Sequence, residues 1–156
     1  MKYWDASAIV PMLVEEDVTK AVQSAYRSDP TVVTAWTTAV ECASAVARAE
    51  REGDLTLEQA TTALARLDGL AAAWLEVEPG GDLRAVARRL LRAHPLRAAD
   101  AIQLASATLA AEHRPASLVV VTFDERLETA ALREGFSVLV PGRPSPANPE
   151  REGSSA

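Results

Sequence analysis

The segment Ser117–Asp124, SLVVVTFD, decides how the rest of the chain must be arranged. Leu118–Val121 is the most hydrophobic run in the sequence, and no polar residue alternates with its apolar ones. Such a run needs cover on both faces, as an interior strand of a parallel sheet does. It ends on Thr122 and Asp124, so polar groups are set down where the strand stops. Glu125–Glu134 then reads as a short helix closed by Gly135, and Phe136–Val140 as the last strand.

Working back from that segment, Leu96–Ala107, LRAADAIQLASA, reads as the preceding helix. Pro95 ends what comes before it, so a helix can start just after it and run to about Ala110, with Asp100 in its first turn. The helix dipole favours an anion there, and a plain N-terminal cap is the structural alternative. Further back, Trp74–Val77 reads as a short strand, Pro79-Gly80-Gly81 as a turn, and Asp82 as the cap of a helix reaching Ala93. Leu83, Val86, Ala87 and Leu90 face inward in that helix. Arg84, Arg88 and Arg92 recur four residues apart on another side, either as a solvated stripe or as a contact for RNA phosphates.

At the start of the chain, Lys2–Trp4 reads as a strand ending on Asp5, and Ala6–Glu16 as a helix with Ser7 at its N-cap. An acid at the carboxyl end of a strand stands where open parallel sheets build their sites, although an Asx turn would place one there too. Val18–Ser28 is helical, Asp29-Pro30 turns the chain, and Thr31–Thr34 has the β-branched density of a buried strand. Thr38–Glu52 follows as a helix, in which Thr38 and Glu41 have the spacing of a capping box. Thr56 and Gln59 repeat that spacing ahead of a third long helix, whose inner face is marked by Leu57, Ala60, Leu64, Leu67 and Leu70 or Ala71.

Strands therefore alternate with helices, which predicts an α/β domain over residues 1–140 with a mainly parallel sheet. Residues 141–156, rich in Pro, Ser and Gly, read as a disordered tail. The chain is 156 residues long and 48% hydrophobic, enough for one domain with a sizeable core. Its formal charge of −6 means that any nucleic-acid binding must rest on a local basic patch or on metal ions. One cysteine, Cys42, excludes an internal disulfide. No basic leader and no run of about 18 apolar residues is present, so a soluble, cytoplasmic protein without a membrane segment is expected.

Four acids share an address in this arrangement. Asp5 and Asp124 follow strands, while Glu41 and Asp100 lie in the first turns of helices beginning near the same sheet edge. Carboxylates gathered so closely raise one another's pKa, and a divalent cation is the natural compensation. Their oxygens suit Mg²⁺, with Mn²⁺ as a substitute, whereas Cys42, His94 and His113 lack the spacing of a zinc site. No Ser-His-Asp or Cys-His arrangement is evident.

With MKYWDASAIV, Glu41, LRAADAIQLASA and VVVTFDERL in order, the chain resembles the PIN-domain ribonucleases, most of all the VapC toxins of toxin–antitoxin pairs. The resemblance covers about Met1 to Val140. It implies a three-layer α/β/α sandwich with Asp5, Glu41, Asp100 and Asp124 as the catalytic and metal-binding cluster, Asp5 and Asp100 being direct Mg²⁺ ligands. Ser7 and Thr122 match polar positions beside those acids, where their hydroxyls can orient the carboxylates or simply cap and bond the element ends. Gln103 stands where many relatives carry His. Mg²⁺-dependent hydrolysis of RNA to a 5′-phosphate and a 3′-hydroxyl, a homodimer, and inhibition by a cognate antitoxin protein are further implications. The Ala- and Leu-rich helix faces between Val40 and Ala73 offer either core or a groove for such a partner.

Two other phosphate-handling classes fit less well. A haloacid-dehalogenase-type phosphotransferase needs a second Asp where Ser7 stands. A receiver domain needs a late lysine, and Lys2 and Lys20 are the only lysines. A degenerate PIN domain that binds RNA or protein without catalysis is the remaining alternative, and the presence of all four acids argues against it.

Overall fold

The central strand is β1, Lys2–Trp4, flanked by β2, Val32–Ala35, on one side and β4, Val119–Val121, on the other. In a computed structural model that describes residues 1–144, β3 (Leu75–Val77) and β5 (Ser137–Leu139) complete a five-stranded sheet in the order β3-β2-β1-β4-β5. Every pairing is parallel, with Tyr3 opposite both Val33 and Val120. Leu118–Val121 thus lies inside a parallel sheet, as its unbroken hydrophobicity requires.

Seven α-helices connect and cover the strands. They are α1 Ala6–Leu13, α2 Thr19–Ser28, α3 Thr38–Arg51, α4 Leu57–Ala71, α5 Gly81–Ala93, α6 Ala98–Ala110 and α7 Glu125–Arg133, and a 3₁₀ turn at Pro115–Ser117 leads into β4. Alternation along β1 sends its side chains to opposite faces of the sheet. Tyr3 joins a core with Leu83, Leu90, Leu104 and Leu127 from α5, α6 and α7, while Trp4 joins one with Ile9, Val46 and Leu67 from α1, α3 and α4. Two cores around one sheet make the three-layer α/β/α sandwich.

The helix ends correct several expectations. Asp5, not Ser7, is the N-cap of α1, since its side chain accepts from the Ser7 backbone N–H. Thr38 forms no capping box, because Thr37 is the N-cap of α3 and the Thr38 hydroxyl is spent on buried partners. The Thr56–Gln59 box does form. Gly80 rather than Asp82 caps α5. Leu57, expected on the inner face of α4, is 73% exposed, and burial there falls on Ala60, Ala63 and Leu67. Leu64 is also exposed, so of these leucines Leu57 and Leu64 lie at the edge of the contact while Leu67 enters it. The body also runs slightly past Val140: Pro141 is buried, and Arg143 pairs with Glu128 at 2.5 Å. The disordered tail expected from residue 141 onward lies outside the described residues from 145 on.

Candidate active site

The chain passes from β1 to β2 and β3 on one side of the sheet, then crosses to β4 and β5 on the other. The carboxyl end of β1 is therefore the point where strand order reverses, where open parallel sheets leave a crevice. Asp5 stands there. It is 6% exposed, and its Oδ2 accepts three hydrogen bonds: Ser7 N–H at 3.2 Å, Ser7 Oγ at 2.5 Å and Thr122 Oγ1 at 3.0 Å. The two hydroxyls are held in turn, since Ser7 Oγ accepts from Phe123 N–H at 2.9 Å and Thr122 Oγ1 from Asp124 N–H at 3.0 Å. With each hydroxyl oxygen receiving a backbone proton, its own proton is free to point at the carboxylate. Burial pushes the Asp5 carboxyl up to about 6; the bonds from Ser7 and Thr122 oppose that rise, and the charge of Glu41 adds to it.

Glu41 sits in the first turn of α3. Its Oε1 accepts from Thr37 Oγ1 at 2.7 Å and from Gln103 Nε2 at 3.0 Å. Gln103 is buried, and its Oε1 accepts the Tyr3 hydroxyl at 2.6 Å. Burial, with the charges of Asp5 and Glu41 nearby, holds the Tyr3 phenol well above its ordinary pKa, so it stays a donor. The same surroundings push the buried Cys42 thiol up to about 12, which leaves it inert.

Asp100 and Asp124 are drawn back onto their own helices. Asp100 Oδ2 accepts from Arg97 N–H at 2.9 Å, and Asp124 Oδ1 accepts from Arg126 and Leu127 N–H at 2.8 and 2.9 Å. Asp100 nevertheless lies one turn before Gln103 on the same face of α6, and Asp124 follows Thr122, so both belong to the same sheet edge.

A common pattern links the four acids. In each, one carboxylate oxygen takes protein donors, while the other accepts no hydrogen bond from the described residues. The donor set is all carboxylate, which suits a hard divalent cation. The four are not gathered into one tight cluster, however. Among the described residues no three His, Cys, Asp or Glu side chains stand close enough together to hold a metal ion, because capping bonds keep Asp100 and Asp124 at their helix ends.

Arg84, Arg88 and Arg92 are exposed along α5 and make no ion pair with the described residues, whereas Arg89 is bound by Glu134. Sequence reasoning missed Tyr3, Thr34 and Thr37, gave Thr38 only a capping role beside Glu41, and left the role of Gln103 open. The available signal was Gln103 itself, a long polar side chain on the apolar face of α6. Among the described residues no helix is long and apolar enough to cross a membrane.

Comparison with known proteins agrees with this architecture. The chain is 33% identical over 136 residues to Ribonuclease VapC45 and to Ribonuclease VapC49, from two strains of Mycobacterium tuberculosis, covering 87% of this chain and 92% of each relative. Its fold is similar to that of FitAcB from Neisseria gonorrhoeae, with a TM-score of 0.65 and 21% identity, and of a toxin–antitoxin complex from Klebsiella pneumoniae, with a TM-score of 0.61 and 15% identity. Each likeness covers 90% of this chain and 98% of the other. A family model described as PIN domain matches residues 2–132, from the first strand into α7, and so takes in all four acids. A parallel sheet in this order, with an acid at its reversal point and relatives of this kind, leads to one assignment: the chain belongs to the PIN-domain family.

Proposed function

We propose that the chain is a divalent-metal-dependent ribonuclease, the toxin of a toxin–antitoxin pair, acting through Asp5, Glu41, Asp100 and Asp124. The observation that carries this reading is Asp5, a buried carboxylate beside a second acid, to which no cationic side chain of the described residues is bonded. Nothing in the core needs a charge at that place, and burying one is costly. Mg²⁺, with Mn²⁺ as a substitute, would be held first by the uncommitted oxygens of Asp5 and Glu41, and by Asp100 and Asp124 once their side chains turn from their helix-end bonds toward it. Bound there, the cation supplies Lewis acidity toward a phosphodiester and toward an attacking water.

The remaining work falls to the chain. Ser7 and Thr122 fix Asp5 Oδ2 and leave Oδ1 uncommitted, while Thr37 and Gln103 do the same for Glu41. The amino ends of α6 and α7 bring partial positive charge to the edge where an RNA phosphate would lie. Arg84, Arg88 and Arg92 are available to the RNA backbone beyond the scissile bond. For the antitoxin, a cleft of about 620 Å³ between α1, α3 and α4 is lined by Glu15, Glu16, Asp54, Glu58 and Arg66, an acidic balance that fits a basic segment. A homodimer accords with apolar residues left exposed, Trp36, Leu75 and Leu91 among them.

The test is cleavage of single-stranded RNA by purified protein with Mg²⁺. Activity is expected to vanish with EDTA and in Asp5→Asn and Asp100→Asn, both variants remaining folded by circular dichroism. Cleavage that survives EDTA, or persists in both variants, refutes the proposal. One observation favours the degenerate, non-catalytic alternative, namely that no three acids converge among the described residues. RNA binding without cleavage at any Mg²⁺ or Mn²⁺ concentration would decide for it. Toxicity on expression, relieved by the product of an adjacent reading frame, checks the toxin assignment.

A further inference from the structure

Gln103 lies at the meeting point of the sheet, α3 and α6, and its surroundings admit one orientation of its amide. Glu41 Oε1, 3.0 Å from Gln103 Nε2, only accepts when ionised, so the amide must present its NH₂ there. Turning the amide over would set oxygen against oxygen. The second NH₂ proton goes to Thr38 Oγ1 at 3.0 Å, and the amide oxygen receives the Tyr3 hydroxyl at 2.6 Å. Onward from Thr38 the direction is also fixed. Thr34 Oγ1 lies 2.7 Å from the Trp4 carbonyl, which can only accept, so the Thr34 proton is spent there. Thr38 must then donate its own proton to Thr34 Oγ1 across 2.6 Å. Each proton in the chain of bonds has one destination.

The chain of bonds ends at significant places. The Trp4 carbonyl belongs to the peptide that joins Trp4 to Asp5, the other branch ends on the Glu41 carboxylate, and Gln103 is one turn along α6 from Asp100. We infer that Gln103 is a positioning residue, which sets Glu41 Oε1 in place relative to Asp5 and to the helix of Asp100. The inference rests on the nuclease reading for its consequence in catalysis, though not for its geometry. Gln103 is neutral at every pH at which the protein is folded. It can therefore hold Glu41 without adding a charge beside the Asp5 and Glu41 carboxylates.

Gln103→Met keeps the volume but orphans the buried Tyr3 hydroxyl, which can by itself unfold the chain. The decisive comparison is Tyr3→Phe/Gln103→Met against Tyr3→Phe, since the double variant removes both partners and leaves an apolar pair. The double variant is expected to melt near its reference while kcat on RNA falls about 10–100-fold with KM unchanged, as when other outer partners of site carboxylates are removed. Turnover equal to that of Tyr3→Phe overturns the inference. A second readout needs neither metal nor activity: the Gln103 side-chain NH₂ resonances of the labelled, metal-free protein. They are expected to exchange slowly with water and to shift in Glu41→Ala. Resonances in fast exchange and unmoved by Glu41→Ala overturn the inference too. If the wild-type chain cuts no RNA, the nuclease reading falls, and these resonances still decide whether Gln103 holds Glu41.

Discussion

Asp5→Asn in the metal-free protein is expected to gain stability relative to wild type as pH rises. The Asp5 carboxyl is lifted from its ordinary 3.8 to about 6, chiefly by burial. The folded chain therefore holds this proton more tightly than the unfolded one. The stabilising effect is complete below pH 3.8 and is lost as pH climbs through about 6. At about 1.36 kcal/mol per pH unit, the interval from 3.8 to about 6 makes ionised Asp5 a burden of about 3 kcal/mol at neutral pH. Asparagine escapes that loss. With its amide oxygen in the place of Oδ2 it can still accept from Ser7 N–H, Ser7 Oγ and Thr122 Oγ1, so any weakening of those bonds is a constant offset in pH.

Urea melts followed by far-ultraviolet circular dichroism in EDTA, between pH 4 and pH 7.5, measure the difference between variant and wild type. Circular dichroism is preferred because Trp4 adjoins the mutated residue and would confound fluorescence. The difference is expected to grow in favour of asparagine by about 2–3 kcal/mol across that range. Saturating Mg²⁺ should then stabilise wild type, by about 2.7 kcal/mol at a hundred times its Kd, and leave the variant unmoved. A difference that is flat with pH would refute the burial of an unneutralised charge at Asp5, and Mg²⁺ stabilising both proteins equally would refute its part in metal binding.

Ser106→Ala is expected to raise stability by about 1 kcal/mol, since Ser106 Oγ is buried near the Tyr3 hydroxyl but makes no well-formed hydrogen bond to it or to any other described residue, and alanine suits the interior of α6 better. A thermal melt that falls would instead mean that the hydroxyl has a partner in solution. Arg84→Glu with Arg88→Glu should weaken RNA binding several-fold at low salt and flatten its salt dependence, with Mn²⁺ affinity unchanged; equal RNA binding in the two proteins would take the α5 arginines out of the interface.

Much of the fold was legible because it rests on local pattern. Val119–Val121, unrelieved by polar residues, can only be an interior strand, and the alternation of strands with helices leaves few choices but a parallel sheet between two helical layers. Helix ends were read less well. The sequence shows that Ser7, Thr38 and Asp82 can cap, but Asp5, Thr37 and Gly80 hold those positions; the Ser7 and Thr38 hydroxyls are taken by partners as distant in sequence as Phe123 and Gln103.

By itself, the sequence determined the layers and the order of the elements and singled out four acids as candidates, because strand hydrophobicity, helix periodicity and ordered motifs act over short stretches of chain. Tertiary structure alone decided how Asp5 and Glu41 are held, whereas Asp100 and Asp124 keep local bonds at their own helix ends. Asp5 takes its bonds from Ser7 and from Thr122, a residue 117 positions away, and Glu41 is held by Gln103 from across the sheet edge. Burial of Asp5 and the direction of the Tyr3–Gln103–Thr38 bonds are properties of packing, set by which donors and acceptors the folded chain brings within about 3 Å of one another.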